Sequence, residues 1–582
     1  MLSISYRPHQ RESIDAVIAQ FRAGKHLVFL DAPVGSGKSL TNLTVANESS
    51  AGGIITTPQV PLVEQYALDT SGGGKFAGLA TTLKGRHNYP CPFVRSQHGG
   101  RRDATAEGAP CTFVRYWPRG RHDNAEDEEG SLEHVCTSKC VEGCPVYHAL
   151  DCPYYLDRER AQKAKVTVTT LAYFLRAVAR TELDGAVTWG KGWKPRRLLV
   201  VDEAHSLDDD LVSHFAVELR PSYLPGFPFK DIPEPEAGKE DTSMAFLREH
   251  IPTYLADQSE TLESMSIGAG PSDVSLQDDI RKQARIVERA EHIADVISRG
   301  NVRWVHSFDE TKDQRGERHP FHVWRPLSVA PFIAPLWREF RFVLLSSATF
   351  LDTTRLAHDL GFPDGSWSVV TVPDTFPSKN APIRLESVFS LNRANLAASV
   401  PKMLQTIQRI LDRHPDQRGI IQCHSYQLAE MLESQSVRPL QERLVFHSRE
   451  DRNHEFGRWK VGGSKNAVFV GVGTTEGIDL SYDLSRFQII LKAQFPDMGD
   501  EWVQARQSDA DDGARWYDEA TLMAVLQASG RIMRSATDTG VTYVLDTNVR
   551  RLVSTYWVFL PEWFRQRVLA GFDEMKWGPL DG

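Results

Sequence analysis

A short loop of small residues, set between an apolar run and a helical pattern, constrains this chain more than any other feature. The apolar run HLVFL at 26–30 precedes DAPVGSGKSL at 31–40. Small residues let backbone N–H groups curl around phosphate oxygens, the lysine adds positive charge, and the serine hydroxyl can bind Mg²⁺. The order strand, loop, helix is the setting that such a loop requires, and it predicts an α/β fold.

We assign six residues to this phosphate-binding loop. Its first position holds alanine where the usual pattern has glycine, and a tight turn before an ordinary helix is the alternative interpretation. The assigned residues are Ala32, Gly35, Ser36, Gly37, Lys38 and Ser39.

A second run, LLVVDEAH at 198–205, supports the nucleotide interpretation. It is an apolar strand pattern that ends in two carboxylates. Asp202 is placed to hold the Mg²⁺ shell together with Ser39, and Glu203 to polarise an attacking water. With Lys38, these carboxylates form the predicted catalytic centre.

The size and composition of the chain indicate a large globular protein. Its 582 residues exceed one hydrophobic core, and 41% hydrophobic with 25% charged residues is ordinary. The sequence has no run of 18 apolar residues and no secretory signal pattern, so we expect no transmembrane helix and a cytoplasmic or nucleoid-associated location. The net charge of −9 argues against a diffusely basic DNA-coating protein, although a basic groove can exist on an acidic protein.

Cysteine placement is the second strong signal. Six of the seven cysteines fall in one stretch, and closely spaced thiolates suggest a metal site. Four thiolates suit either Zn²⁺ or an iron–sulfur cluster, and the spacing does not choose between them. Unligated or disulfide-bonded cysteines are the alternative. The clustered residues are Cys91, Cys111, Cys136, Cys140, Cys144 and Cys152.

Strand patterns alternate with helical patterns in two parts of the chain, which predicts parallel sheets covered on both faces. A region rich in Cys, Arg, Gly and Pro interrupts the first part, and a Pro-rich region with a helical pattern near 276–299 interrupts it again. We therefore predict two α/β lobes and two insertions. The boundaries are 1–83, 161–206 and 331–375 for the first lobe, 84–160 for the cysteine-rich insertion, 207–330 for a mainly helical insertion, and 376–582 for the second lobe.

Taken together, these motifs resemble those of the superfamily-two helicases, and within them the XPD/DinG-like iron–sulfur helicases. Four further runs carry the resemblance, each similar to a helicase motif: YRPHQ at 6–10, LLSSAT at 344–349, VGVGTTEGIDL at 470–480 and QASGRIMRS at 527–535. The runs TLKGRHNYPC before the cysteines and CPYYLDRERAQKAKVTVTT after them resemble the flanks of the family's cluster. The region 207–330 matches the family's arch domain by its order in the chain only.

The resemblance implies two RecA-like lobes that close around ATP and Mg²⁺. It gives Gln10 the role of adenine reader, places Gly477 and Asp479 at the nucleotide, and makes Arg531 and Arg534 arginine fingers that stabilise charge on the departing phosphate. It also implies a [4Fe–4S] cluster, with zinc as the other occupant. The implied ligands are Cys91, Cys140, Cys144 and Cys152, with Cys136 or Cys111 as substitutes for Cys140.

The implied activity is ATP-dependent unwinding of DNA in the 5′ to 3′ direction, in repair or replication, by a DEAH-box protein. The expected partners are single-stranded and forked DNA, with the chain acting as a monomer; no membrane is expected, and the sequence names no protein partner. Two alternatives stay open at this point. One is a zinc-bound, nucleic-acid-binding scaffold that uses ATP as a conformational ligand, and the other is an unwindase of RNA or RNA–DNA hybrids.

Overall fold

The structure is a computed structural model. It describes residues 6–50, 52–90, 152–181, 186–234, 242–267, 274–299, 302–312, 318–391, 394–462, 464–473, 482–509, 511–533, 535 and 537–573.

Helices and strands alternate along most of the described chain. The helices are α1 Gln10–Arg22, α2 Lys38–Glu48, α3 Val60–Thr70, α4 Pro153–Lys163, α5 Leu207–Phe215, α6 Thr242–Ile267, α7 Val274–Ser298, α8 Ala330–Glu339, α9 Thr353–Asp359, α10 Leu396–Arg413, α11 Tyr426–Gln435, α12 Arg438–Gln441, α13 Arg452–Gly462, α14 Glu501–Gln507, α15 Gly513–Ser529, α16 Thr547–Thr555 and α17 Glu562–Asp573. A helical turn, Leu171–Tyr173, continues as a π-helix, Phe174–Val178.

The strands belong to four sheets. They are β1 Leu27–Asp31, β2 Gly53–Thr57, β3 Thr81–Thr82, β4 Val166–Thr170, β5 Ala179–Thr181, β6 Val187–Trp189, β7 Leu198–Asp202, β8 Val217–Leu219, β9 Trp304–Lys312, β10 Arg318–Pro326, β11 Phe342–Ser347, β12 Trp367–Thr371, β13 Ile383–Phe389, β14 Gly419–Cys423, β15 Leu444–Val445, β16 Val468–Val472, β17 Phe487–Ile490 and β18 Val541–Asp546.

The first lobe is built on a parallel sheet in the order β12-β1-β11-β7-β2-β4-β3. Its central strands are short apolar runs that are buried on both faces, as the continuous hydrophobic pattern predicts. Alternate residues of β1 enter different cores: Leu27 and Phe29 pack on one face, Val28 and Leu30 on the other. The phosphate-binding loop and the DEAH run therefore follow two strands of one sheet.

The second lobe has its own parallel sheet, in the order β13-β18-β17-β14-β16-β15, with a core on each face. Cys423 is a buried side chain of this sheet, and burial raises the pKa of its thiol to about 12. Its assignment as a small core residue fits this placement. The two parallel sheets confirm the predicted fold class; the domain boundaries stay predictions.

The region between β7 and α8 is only partly what its sequence pattern indicates. The pattern near 276–299 predicts a helix, and α7 spans Val274–Ser298 against the equally long α6. The hairpin β9–β10, which pairs with β8 in an antiparallel sheet, was not predicted. The description "mainly helical" therefore misses a three-stranded sheet, in which β10 lies between β8 and β9. Among the described helices, none has an apolar stretch long enough to span a bilayer.

Helix α15 joins the two lobes through its packing. Trp516, near its start, lies in the core of the first lobe and its insertion, while Leu522 and Leu526 lie in the core of the second lobe. The helix ends at Gly530, immediately before Arg531.

Candidate nucleotide site between the lobes

The loop after β1 has the backbone that phosphate binding requires. Gly35 and Gly37 have φ of 86° and 91°, a region that side chains with a Cβ rarely adopt. A Cβ added at Gly37 would also collide with the amide of Gln10, so glycine is needed there for two reasons. Helix α2 then begins at Lys38, and its N-terminal N–H groups face the loop.

Alanine at the first loop position is explained by the sheet. The backbone N–H of Ala32 donates to the carbonyl of Ser347 at 2.9 Å, so Ala32 continues the ladder between β1 and β11. The backbone of Ala32 does not have a positive φ, and its side chain is buried in an apolar core. No glycine is therefore required at this position.

The loop contains a polar atom suited to a phosphate. The hydroxyl of Ser36 is buried, and no described residue forms a hydrogen bond with it. A buried hydroxyl without a partner is costly unless a ligand supplies one. The cradle of backbone, Ser36 and Lys38 thus fits a nucleoside triphosphate with its Mg²⁺.

Gln10 lies against this loop, with both ends of its amide engaged. Its Nε2 donates to the carbonyl of Gly37 at 2.8 Å, and its Oε1 accepts from the backbone N–H of Arg7 at 2.9 Å. The side chain of Arg7 donates to the carbonyl of Gly35. The start of α1 is thereby tied to the loop, and the role of Gln10 as adenine reader stays a prediction.

The DEAH carboxylates lie across from Lys38. Glu203 has a positive φ of 53°, a strained backbone for this residue type, and its Oε1 lies 3.8 Å from the Lys38 Nζ. The Nζ of Lys38 also lies 3.5 Å from the carbonyl oxygen of Ala32. Asp202 is buried, and burial raises its pKa to about 6; the charge of Glu203 adds to this rise, while Lys38 opposes it. A carboxylate held this way is stabilised by gaining a cation.

Sequence reasoning missed Tyr66, a third group on Asp202. The hydroxyl of Tyr66 donates to Oδ2 of Asp202 at 2.9 Å and lies 3.3 Å from Nδ2 of Asn42. The side chains of Tyr66, Asp202 and Asn42 are all buried. The signal was the tyrosine in the helical run VPLVEQYALD that follows β2.

Asp31 was also missed, although it directly precedes the loop. Its Oδ1 is buried and has no hydrogen-bond partner among the described residues. Burial raises the pKa of Asp31 to about 7, and the charge of Lys38 partly offsets this rise. The available signal was an acidic residue, Asp31, between the apolar run HLVFL and the phosphate-binding loop.

His205 connects two motifs of the first lobe. Its Nδ1 lies 3.0 Å from the hydroxyl of Ser347, in the LLSSAT run, and 3.5 Å from Oε2 of Glu203. This bond stays inside the first lobe.

The second lobe reaches the loop through the run QASGRIMRS. A Cβ built on Gly530 would lie 3.6 Å from Cγ2 of Val34, so the two lobes are in near contact there. Arg531 is the next residue and is half-buried. The backbone of Arg531, directly after Gly530, therefore lies close to the phosphate-binding loop, and the role of Arg531 as an arginine finger stays a prediction. Arg534, Gly477 and Asp479 lie outside the described residues.

The cysteine site can be described at one residue only. Cys152 is half-buried, directly precedes α4 and packs against the first-lobe core. Next to it, Arg86 donates to the hydroxyl of Tyr155 at 3.2 Å. Within the described ranges, no group of three or more His, Cys, Asp or Glu side chains is placed to hold a metal. The other candidate ligands, Cys91, Cys111, Cys136, Cys140 and Cys144, lie outside those ranges.

Comparison with known proteins agrees with this arrangement. The family model DEAD_2 matches residues 104–224, and the model of a helicase C-terminal domain matches residues 407–567. A solved structure titled as an XPD helicase is 17% identical, covers 98% of this chain and 99% of its own, and has a TM-score of 0.58. The structure of Xpd4 from S. tokodaii is 13% identical, covers 96% and 98%, and has a TM-score of 0.53. At such identities the two structures show a shared fold.

Proposed function

We propose that this chain is an XPD-like superfamily-two helicase, which uses ATP to unwind DNA and moves 5′ to 3′ on single-stranded DNA; the matches to the DEAD_2 and helicase C-terminal models support this. One observation carries the proposal: Lys38 lies 3.8 Å from Glu203 in the first lobe, and Gly530 of the other lobe approaches Val34 of the phosphate-binding loop. A site divided between two lobes can convert hydrolysis into lobe motion.

The residues have separate tasks in this proposal. Lys38 and the loop N–H groups hold the phosphates, and Ser39 and Asp202 hold Mg²⁺, which neutralises charge on the phosphate oxygens when it is bound. Glu203 orients the attacking water and takes up its proton. Arg531 and Arg534 stabilise the charge that gathers on the transferred phosphoryl group, and they can do so only when the lobes are closed. The resemblance to the fifth helicase motif also assigns Gly477 and Asp479 to nucleotide binding.

We assign the cysteine-rich insertion to the DNA fork. Cys91, Cys140, Cys144 and Cys152 would hold a [4Fe–4S] cluster, whose role is to keep the insertion folded. Cys152 fits this role because it lies in a half-buried position at the start of α4, next to aromatic side chains. Contacts to DNA are expected to be stacking and backbone contacts without base readout.

Strand displacement on tailed duplexes tests the proposal. The wild-type protein should open a duplex with a 5′ single-stranded tail in the presence of Mg-ATP, and Lys38→Ala should reduce ATP turnover at least about 100-fold. A duplex with a 3′ tail is the control for direction, and an RNA tail is the control for the substrate. If the RNA substrate is unwound faster, the proposed substrate is RNA and not DNA. If single strands do not stimulate ATP turnover, the proposal that the protein moves along a strand is wrong.

The visible spectrum of anaerobically purified protein tests the cluster separately. A broad absorption that bleaches with dithionite, and that Cys152→Ser removes, would support iron–sulfur. Colourless protein that carries zinc would contradict the cluster and leave the proposed ATP site unaffected, because no residue assigned to the nucleotide belongs to the insertion.

A further inference from the structure

A cluster of charged side chains joins the two lobes beside the nucleotide cleft. Glu519 on α15 is 3% exposed and binds two arginines, Arg355 of the first lobe and Arg515 of its own helix. The distances are 3.0 Å from Arg355 Nε to Oε2 and 2.8 Å from Arg515 Nε to Oε1. We call Asp208, Asp352, Arg355, Asp359, Arg515 and Glu519 the interlobe ion-pair cluster.

The cluster is attached to the DEAH run and to the LLSSAT run at its first-lobe side. Asp352 follows the LLSSAT run, caps α9 and binds Arg515 at 2.6 Å. Arg355, on α9, binds Asp359 at 2.6 Å and lies 3.8 Å from Asp208. Asp208 stands in the first turn of α5, directly after the DEAH run. A shift of either run is therefore transmitted to these side chains.

At its second-lobe side the cluster is attached to Arg531 through α15. From Glu519 to Ser529 the helix continues without interruption, a distance of about 15 Å at ~1.5 Å per residue. The far half of the helix is fixed in the second-lobe core by Leu522 and Leu526. The helix ends at Gly530, beside Val34 of the phosphate-binding loop. A rigid helix with one end in the cluster delivers its other end to the nucleotide.

We infer that Arg355 and Glu519 are positioning residues, which fix α15 against the first lobe so that Arg531 faces the γ-phosphate. This inference rests on the proposed function. Burial makes the loss of one partner costly, because water cannot replace it. Without Arg355, Glu519 keeps only Arg515, and without Glu519, Arg355 keeps only the carboxylates of Asp359 and Asp208 among its described ion pairs. A displacement of about 1 Å of a group that acts on the transition state can cost about 100-fold in rate.

A second buried ion pair supplies a matched control. Arg567 on α17 lies 3.1 Å from Asp374, in the segment that links the two lobes, and both side chains are largely buried. This pair touches neither the DEAH run nor the LLSSAT run nor α15 among its described contacts. Breaking it should cost stability without moving Arg531.

The test compares Glu519→Gln and Arg355→Gln with Asp374→Asn. We expect kcat for ATP, measured with saturating single-stranded DNA, to fall about 10- to 100-fold in the first two variants, while KM for ATP stays within about 3-fold. The loss in kcat of the double variant should be smaller than the product of the two single losses, since the two substitutions share the Arg355–Glu519 interaction. Asp374→Asn should keep kcat within about 2-fold, although its melting temperature falls like that of Glu519→Gln.

Amide hydrogen exchange gives a readout that needs no turnover. Exchange in the segment 526–533 should speed up in Glu519→Gln and stay unchanged in Asp374→Asn. Unchanged exchange there, or equal effects of the two variants on kcat, would overturn the positioning role. Lack of ATP turnover by the wild-type protein would refute the proposed function instead, and the exchange data would still decide whether the cluster positions this segment.

Discussion

The hydroxyl of Tyr66 donates a 2.9 Å hydrogen bond to Oδ2 of Asp202, at the end of the strand that carries the DEAH run. This bond fixes the orientation of the carboxylate, favours its ionised form and lowers its pKa against the effect of burial. Tyr66→Phe should therefore weaken Mg²⁺ binding, and the Mg²⁺ concentration for half-maximal ATP turnover should rise about 10-fold.

The control for this substitution is Tyr254→Phe, which removes a hydroxyl with a 2.9 Å bond to the carbonyl of Pro225, far from the cleft. It should leave the Mg²⁺ dependence unchanged. A Tyr66→Phe protein that keeps the wild-type Mg²⁺ dependence would show that Asp202 does not need its tyrosine.

The amide of Gln10 predicts a selective effect on nucleotide affinity. Gln10→Ala should raise KM for ATP about 10-fold and leave kcat nearly unchanged, because base contacts are the same in the ground state and the transition state. KM for CTP should change much less, and steady-state turnover of both nucleotides measures the difference. Gln20→Ala, on the same helix, is the control. Equal rises for ATP and CTP would mean that Gln10 only supports the loop through Gly37.

Arg531 is expected to act on the transition state. Arg531→Ala should lower kcat about 1,000-fold with KM for ATP nearly unchanged, since the guanidinium meets charge that develops only as the phosphate leaves. The exposed Arg550 on α16 gives a matched control, and Arg550→Ala should keep wild-type turnover. A rise in KM without loss of kcat would instead assign Arg531 to ground-state binding.

Asp31 predicts a dependence of stability on pH. Its pKa is raised from 3.8 to about 7 in the folded protein, so the folded state holds its proton more tightly than the unfolded state. The contribution of Asp31 to stability is then lost as pH rises from about 4 to 7, and above pH 7 the buried charge costs up to roughly 4 kcal/mol.

Asp31→Asn removes this charge, so it should stabilise the protein much more at pH 8 than at pH 5. Urea unfolding at the two pH values measures the difference, and Asp364→Asn, at an exposed carboxyl, is the control. If Asp31→Asn raises the free energy of unfolding equally at both pH values, the ionised carboxylate of Asp31 is solvated in the folded protein and the prediction is wrong.

Much of the fold could be predicted because burial leaves a periodic pattern in the sequence. The runs HLVFL, GIITT and LLVV are buried strands within a residue or so of their predicted limits, and the alternation with helices indicates parallel sheets. The hairpin β9–β10 escaped prediction because its exposed strand ends mix charged and aromatic residues, and its pairing depends on β8 from a distant part of the chain.

The sequence by itself determined the chemistry of the cleft: a loop that needs glycine at two positive-φ positions, a lysine after it, and two carboxylates behind an apolar strand. These are local requirements, since backbone geometry and side-chain type at neighbouring positions satisfy them. The tertiary structure alone decided which distant groups complete the cleft. Tyr66 meets Asp202 because helix α3 follows β2, which is the neighbour of β7 in the sheet. Glu519 meets Arg355 because the two lobes pack, and no spacing along the chain encodes either contact.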